Sequence, residues 1–543
     1  MAAQTVVPGT VHLVDLQQTL SVKHAKGGLA DVVLVPAPSS DPDDPLNWSR
    51  GRKLLSTISM CVFITTTGLA ASCVYSIIVP ISRDTGLSIN DLNAGTGYQY
   101  LAFGWGCLLW QPAAQTFGKR PIYLISLLMS IAITVSVPYV RTPGTWMALK
   151  ILQGFVGAPI ESLGEISISD VYFSHQRGTY MSIYALTLYT AGFLASVFAG
   201  FINDGMGWEW VQYWCTIWLG MGFVFCFFFM EETNYNRCSI LNDEAQIASA
   251  RSQSTPDEET QTQNDKSPNL QETAHAEQLE NHTQLKRKSY LAKLKMFDKR
   301  RPLKHFWFGV LRPIKLMTFP IIAYCGFNYG ASLIWYNILN ATASLILSGS
   351  PYNFAPSMVG LTYLSPIVGT FLGSFISGKL GDMLVLRLAR RNKGIWEAEQ
   401  RLWLYLILVA VVPWSLIQWG VGAANGIHWF GLVFAMAVTG VSVSVGAQLA
   451  ISYCIDTYKD LGADAVVSVM CIRNTMSFAI GYGVTPWVVN MGYQNAFLVA
   501  AFAGLAQVLT FLIFIKWGAQ MRAASAERYR KEVEAAEKLG YGH

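Results

Sequence analysis

Apolar residues in this chain are gathered into long blocks that are separated by short polar segments. There are about twelve blocks of roughly 20 residues, and a helix of that length spans the ~30 Å hydrocarbon core of a bilayer. The pattern therefore predicts an all-α integral membrane protein with twelve transmembrane helices. The predicted spans are 54–80, 94–115, 121–139, 145–169, 178–202, 211–230, 316–340, 355–378, 402–421, 427–454, 464–490 and 494–516.

One long polar connection divides the spans into two groups of six. Its first part is acidic and is expected to be partly disordered, because such a composition cannot bury a core. Its second part is basic, and residues 290–300 are either a solvated linker or a segment on the membrane surface. We predict two six-helix bundles related by pseudo-two-fold symmetry. The boundaries are 1–53 for the N-terminal tail, 54–230 and 316–516 for the bundles, 231–315 for the central loop and 517–543 for the C-terminal tail.

Charge is scarce in this sequence. Of the 543 residues, 52% are hydrophobic and 13% are charged, whereas soluble domains carry about 25% charge. These numbers exclude a soluble enzyme, a nucleic-acid-binding protein and a disordered chain. Short loops on the side of the two termini hold ten Lys and Arg residues, and those on the other side hold Arg83 and Arg141. The positive-inside rule therefore predicts that both termini are cytosolic.

Charged side chains within the spans are the candidates for function, because they are costly in a bilayer. In the fourth predicted helix, Glu161 and Glu165 are four residues apart and Lys150 is three turns away, so all three share one face. Desolvation and mutual repulsion raise the pKa of at least one member of such a carboxylate pair. We interpret the pair as a site for a proton, a cationic substrate or each in turn. The alternative is a structural polar network with Lys150 or tyrosine hydroxyls.

The eleventh and seventh predicted helices supply further candidates. Arg473 and Asn474 lie at about the depth of Glu161, and Arg473 either bridges to the fourth helix, neutralises an anionic substrate or forms a packing ion pair. In the seventh helix, the candidates for binding the substrate are Asn328, Tyr329 and Trp335. Aromatic faces attract cations by ~0.5–2 kcal/mol, although single rings also serve in packing.

Charges at the inner ends of the spans suggest a gate. Basic side chains there could pair with aspartates when the protein faces outward and separate when it faces inward; the alternative is that they only set topology. The candidates are Lys119, Arg120 and Asp170 in the first bundle, and Asp382, Arg387, Arg391 and Asp456 in the second.

Several motifs resemble those of the major facilitator superfamily. The loop before the third helix keeps Gly118, Lys119 and Arg120 of the family pattern, with Gln115 where the family has Asp. The family's RxxQG motif appears as residues 150–154, with Lys for Arg, and its antiporter glycine pattern is reduced to AGFLASVFAG at 191–200. Strings such as DPDDPLNWSRGRK and GDMLVLRLARRNKG are similar to those of the fungal drug:proton-antiporter-like branch, and most similar to its polyamine and organic-cation transporter-like group.

This resemblance implies a secondary transporter that works by proton-coupled alternating access. We expect efflux of a small cationic or amphipathic compound such as a drug, toxin or secondary metabolite, as in multidrug resistance. One alternative is uptake of polyamine-like cations. Another is an ion channel, which the sequence Gly481-Tyr482-Gly483 supports poorly because it lacks the preceding Thr-Val of a potassium filter.

The expected partners follow from that interpretation. They are protons, a small-molecule substrate and membrane lipid, with no nucleic acid. The energy source is the proton gradient, and we expect no cofactor, no metal site and no enzymatic activity, since catalytic, ATP-binding and metal motifs are not found. The protein is expected to be a monomer in the plasma membrane. An Asn340-Ala-Thr sequon lies at the predicted outer end of the seventh helix.

Overall fold

Helices account for almost all of the regular structure in this computed structural model, which describes residues 8–12, 39, 41–235, 303–381, 383–384, 387–388 and 395–538. The α-helices are α1 (Arg50–Ser72), α2 (Ile78–Thr85), α3 (Ile89–Phe117), α4 (Lys119–Ser136), α5 (Pro143–Gly157), α6 (Pro159–Val171), α7 (Ser174–Met206), α8 (Trp208–Phe229), α9 (Leu303–Leu316), α10 (Pro320–Ser348), α11 (Pro356–Thr362), α12 (Leu364–Phe375), α13 (Tyr405–Ala424), α14 (Trp429–Thr457), α15 (Gly462–Leu509) and α16 (Phe511–Lys538). One antiparallel pair of strands, β1 (Thr10–His12) and β2 (Ile395–Glu397), is also present. We call residues 41–235 the N-terminal half and 303–538 the C-terminal half.

The all-helical membrane fold predicted from the apolar blocks is confirmed. Among the described residues, nine helical stretches are long and apolar enough to cross a membrane. The last of these covers Lys459–Ala536, and Gly492 divides it because its φ of 73° and ψ of 162° are not helical. The remaining predicted spans correspond to α3 and to α5 with α6. The count of twelve spans stays a prediction.

Proline determines where the fourth predicted span is interrupted. Pro159 has no N–H to donate, so it fits the first turn of a helix and ends the helix before it. The chain accordingly forms α5 up to Gly157 and a new helix, α6, from Pro159. Glu161 therefore lies in the first turn of α6. The break divides the predicted continuous helix into two segments. It also places the Glu161 carboxylate at a helix N-terminus, where negative charge is favourable.

Two helices extend beyond the ends predicted from hydrophobicity. Helix α10 continues to Ser348, so Asn340 is fully buried within it rather than at an outer end. Helix α16 runs to Lys538, through a segment that was predicted as a tail. Hydrophobicity marks only the apolar part of a helix, whereas Ala, Glu and Lys continue it in water. In α16, Glu527 and Lys531 are four residues apart and form an ion pair at 2.8 Å, which stabilises a solvent-exposed helix.

The two halves meet most closely along α3 and α15. A Cβ at Gly104 would lie 2.7 Å from the Cβ of Asn474, and one at Gly97 would lie 3.1 Å from the carbonyl oxygen of Phe478. Glycine is needed at Gly104 because any side chain there would displace Asn474. These contacts let charged residues of α15 reach the N-terminal half in the middle of the bundle.

One end of the bundle holds the beginning of α1 and the ends of α3 and α8; we call it the terminus-bearing end. There Arg52 Nη2 lies 2.6 Å from Glu231 Oε2, and Glu232 accepts the backbone N–H groups of Lys119 and Arg120 at 3.0 and 3.1 Å. Glu232 thus caps α4. Burial raises the pKa of Glu232, while the backbone N–H groups that it accepts oppose the shift.

Candidate functional site

Four side chains from both halves form a buried polar cluster at the centre of the molecule. The Arg473 guanidinium of α15 forms an ion pair with Glu161 of α6. Asn474 Nδ2 donates to the second carboxylate oxygen, Glu161 Oε2, at 2.6 Å. Arg473 Nη1 donates to the hydroxyl of Tyr329 in α10 at 2.6 Å. We call these four residues the central cluster.

The central cluster is closed to solvent. Glu161 is 6% exposed, Arg473 is 3% exposed and Asn474 is 0% exposed. Buried charges at this depth require partners, and here both oxygens of the Glu161 carboxylate are satisfied. The structure therefore brings together Glu161, Arg473, Asn474 and Tyr329, four of the residues predicted as a binding site. Arg473 thus forms an ion pair with a residue of the fourth predicted helix.

Glu165 lies one helical turn from Glu161 and is only 5% exposed. Within the described residues its Oε2 atom has no hydrogen-bond partner. Arg473 and Glu161 are the charged groups that act on it. The two carboxylates are thus unequal, because Glu161 is neutralised by direct contacts and Glu165 is not.

Tyrosines from both halves surround the two carboxylates. The hydroxyl of Tyr184 in α7 donates to the carbonyl oxygens of Ile160 and Glu161, each at 3.1 Å. The hydroxyls of Tyr189 and Tyr329 lie 3.2 Å apart and join α7 to α10. Tyrosine faces attract cations as well as filling space. The centre of the protein therefore combines acidic and aromatic groups.

Lys150 belongs to a different place in the N-terminal half. Its Nζ donates to Gln153 Oε1 at 3.0 Å and lies 4.9 Å from the centre of the Trp146 ring. Eleven residues of helix correspond to about 16 Å of rise, which a lysine side chain does not span. The structure therefore does not bring Lys150 to Glu161, although the two were predicted to share one stripe.

Asn328 and Trp335 are also separate from the central cluster. Both contact Gln507 of α15: Gln507 Nε2 donates to Asn328 Oδ1 at 2.5 Å, and Trp335 Nε1 donates to Gln507 Oε1 at 3.4 Å. This network lies within the C-terminal half. Of the three candidates on the seventh predicted helix, Tyr329 is the one that joins the central cluster, through its hydrogen bond with Arg473.

The predicted gate residues form pairs within each half. Lys119 and Asp170 form an ion pair inside the N-terminal half, where the Arg120 Nη2 atom donates to the carbonyl oxygen of Phe227 at 2.7 Å. In the C-terminal half, Arg401 Nε lies 3.4 Å from Asp456 Oδ2. Arg387 is exposed. Asp382 and Arg391 lie outside the described residues.

A bridge between the halves at the terminus-bearing end uses residues that the sequence analysis missed. Within the C-terminal half, Arg312 of α9 forms an ion pair with Asp464 in the first turn of α15, and Asp464 in turn contacts the N-terminal half. Gln111 of α3 donates to Asp464 Oδ1 at 3.3 Å. Arg312 lies in the predicted linker and Asp464 at a predicted helix start. The only signal was an acidic residue in the first turn of a span, which is common at helix N-termini.

Contacts between the halves are present at both ends of the bundle. At the end opposite the terminus-bearing end, Asn93 Nδ2 donates to Thr485 Oγ1 at 3.0 Å and the Ser357 N–H donates to Asp204 Oδ2 at 3.0 Å. At the terminus-bearing end, Gln448 Nε2 donates to Ser182 Oγ at 3.0 Å. The central cluster is thus enclosed between two sets of polar contacts that join the halves.

Membrane-length helices that enclose buried charge at the interface of two halves define a membrane transporter. The family model of the Major Facilitator Superfamily matches residues 58–458. The chain belongs to this superfamily, and it is a transporter rather than an enzyme.

Known relatives are similar over almost the full chain. An MFS-type transporter of Schizosaccharomyces pombe, described as uncharacterized, is 26% identical, and the alignment covers 96% of this chain and 94% of the relative. Protein HOL1 of Saccharomyces cerevisiae is 23% identical, covering 97% of each chain. Efflux pump vrtL of Penicillium aethiopicum is 23% identical, covering 88% of this chain and 86% of its own. The xylose transporter XylE from E. coli, in a partially occluded inward-open conformation, shares the fold with a TM-score of 0.55 at 10% identity, covering 85% of this chain and 99% of its own.

Proposed function

We propose that this transporter exports a small cationic or amphipathic organic compound, such as a drug, toxin or secondary metabolite, in exchange for protons. We place it in the fungal drug:proton-antiporter-like branch, in the plasma membrane, with both termini cytosolic. The excess of basic residues in loops on the terminal side supports that orientation. One of the relatives carries the name efflux pump, which is consistent with export.

Glu165 carries the proposal. It is a buried carboxyl group with an oxygen that lacks a partner among the described residues, next to a carboxylate that is already neutralised. Burial disfavours a charged group without a counter-ion, so binding of a proton or of a cation stabilises this site. Competition of the two for one carboxylate is the simplest basis for exchange, because each is released when the other binds.

The surroundings of Glu165 favour an organic cation over a metal ion. The hydroxyls and rings of Tyr184, Tyr189 and Tyr329 come from both halves, and aromatic faces bind organic ammonium groups by cation–π attraction. Groups of three or more His, Cys, Asp or Glu residues that could hold a metal are not found in the part of the chain that the structure describes.

Uptake of polyamine-like cations is the second candidate. The observation that favours it is the reduction of the antiporter glycine pattern in α7 to Gly192 and Gly200. Only the second of these is held by tight packing, where a Cβ at Gly200 would lie 3.0 Å from the Pro356 carbonyl carbon. Alternating access works in either direction, so the direction of the proton gradient that drives flux distinguishes export from uptake.

Purified protein in proteoliposomes tests the proposal. We expect saturable flux of an organic cation that an opposed proton gradient accelerates and that parallel gradients do not. Glu165→Gln keeps the shape of the side chain but cannot ionise, so it should abolish gradient-driven flux and leave only a slower, pH-independent exchange of labelled substrate. Glu209→Gln is the matched control, because Glu209 is half-exposed and pairs with Arg141 at 3.5 Å. Gradient-driven flux by Glu165→Gln equal to that of the parent would contradict the proposal.

A further inference from the structure

Helix α9 precedes the first span of the C-terminal half and has two unlike faces. One face packs against α3 and α15: Val310 and Leu316 are 9% and 1% exposed, and Arg312 forms the ion pair with Asp464. The Ser468 hydroxyl of α15 also donates to the carbonyl oxygen of Pro313 at 2.7 Å. This face holds the helix against both halves at the terminus-bearing end.

The opposite face exposes a stripe of large apolar side chains. Trp307, Leu311 and Ile314 are 61%, 55% and 41% exposed. They occupy positions i, i+4 and i+7, which lie above one another on one side of a helix. Nothing in the described part of the chain covers this stripe, and in water its exposure would be unfavourable.

Basic residues flank the apolar stripe at both ends. Lys304 is exposed, and the Lys315 side chain is 62% exposed, with its Nζ 3.9 Å from Glu532 Oε1. The sequence from Lys286 to Lys304 contains nine Lys and Arg residues. Each such charge near a membrane surface is attracted by anionic lipid. The charge of this region is therefore complementary to an anionic leaflet and opposed to a second copy of the same basic surface.

The position of α9 along the chain places it at the membrane boundary. It ends at Leu316 and the membrane-length helix α10 begins at Pro320. A helix of 14 residues is about 21 Å long, which is too short to span a bilayer but sufficient to lie along its surface.

We propose that α9 lies in the membrane interface at the terminus-bearing end, with the Trp307 stripe inserted at the boundary of head groups and acyl chains and with anionic phospholipid bound by its basic flanks. The other face of α9 binds Asp464 through Arg312, and Asp464 accepts a hydrogen bond from Gln111 of the N-terminal half. Lipid that holds α9 in place therefore also biases the separation of the halves. This inference does not depend on the identity of the substrate or on proton coupling.

Spin-label depth measurements on the full-length protein test the proposal. Cys61 and Cys238 are replaced by serine, since the other cysteines are buried, and a nitroxide is attached at Trp307→Cys in nanodiscs of phosphatidylcholine with 30% phosphatidylserine. We expect oxygen to raise the relaxation rate of the label more than a water-soluble nickel chelate does, as is typical of a membrane-inserted label. The matched control is Glu527→Cys on α16, whose side chain is 75% exposed and whose label should show the reverse.

A second set of variants separates lipid binding from misfolding. The double variant Lys304→Gln, Lys315→Gln should make the label at position 307 more accessible to the nickel chelate. The accessibility of the label should no longer depend on phosphatidylserine, and the thermal unfolding midpoint should be unchanged. The proposal is overturned if the label at 307 is as accessible to the chelate as the label at 527. It is equally overturned if dilution with unlabelled protein relieves dipolar broadening at 307, because a second copy would then cover the stripe.

Discussion

At the scale of single residues, Glu161 and Glu165 differ in the partners of their carboxylates. Both carboxylates are buried one helical turn apart, yet Glu161 is held by Arg473 and Asn474, whereas one oxygen of Glu165 has no hydrogen-bond partner among the residues that the structure describes. The first therefore joins the halves, and the second is the residue that we propose to bind a proton or a cation. The sequence predicted that the pair would be functional but could not divide the roles, because the division depends on which side chain Arg473 reaches across the interface.

The ion pair between the halves should contribute strongly to stability as long as both partners are present. Glu161→Gln leaves the guanidinium of Arg473 buried without a full counter-charge, which costs about 3–5 kcal/mol. We expect a marked fall in the thermal unfolding midpoint in detergent, and a partial recovery in the double variant with Arg473→Gln. Glu209→Gln, at a half-exposed pair, should change stability by about 0–1 kcal/mol. An additive double variant would show that the two side chains do not interact.

A second buried pair fixes the C-terminal helix. Arg522 Nε and Nη2 bind the two carboxylate oxygens of Glu399, each at 2.7 Å, and Arg522 Nη1 donates to the carbonyl oxygen of Pro8 at 2.6 Å. Arg522→Lys keeps the charge but not the two-fold geometry. We expect this variant to release the N-terminal segment, observed as faster hydrogen exchange of β1 while α13 is unchanged. Equal exchange of β1 in both proteins would contradict this role.

At the scale of elements, several helical segments that contact both halves or extend a span were not predicted from the hydrophobic pattern. The apolar blocks predicted the long helices, because about 20 residues are needed to cross a bilayer. They did not reveal α9, which is amphipathic and belongs to no span, or the helical extension of α16. They also did not show that Pro159 divides the fourth predicted span into α5 and α6.

Arg312 of α9 should help to keep the terminus-bearing ends of the halves together, because it holds the Asp464 carboxylate that Gln111 of the N-terminal half contacts. Arg312→Gln removes the positive charge that faces Asp464, so we expect a longer distance between spin labels at Leu54→Cys and Glu527→Cys, measured by double electron–electron resonance. Glu209→Gln, at the half-exposed pair with Arg141, should leave the distance unchanged. If the two variants gave the same distance distribution, Arg312 would have no part in closure.

At the scale of the whole molecule, two helical halves meet over a buried acidic and aromatic centre and are joined by polar contacts at both ends. Alternating access requires each set of contacts to open in turn. The superfamily fold and the central residues Glu161, Arg473 and Asn474 could be predicted from the sequence, since buried charge within apolar blocks is rare. The partners of Lys150 and Asp464 could not, because they depend on the rise along a helix and on contacts between residues far apart in sequence.

Substrate-driven proton movement is the most direct test of the central claim, that Glu165 couples the substrate to protons. Sealed proteoliposomes with a pH-sensitive dye inside receive a gradient of an organic cation and no initial proton gradient. We predict that the parent protein moves protons against the direction of the cation, and that Glu165→Gln moves none while retaining a slower exchange of labelled substrate. Proton movement by Glu165→Gln at the parent rate would contradict it.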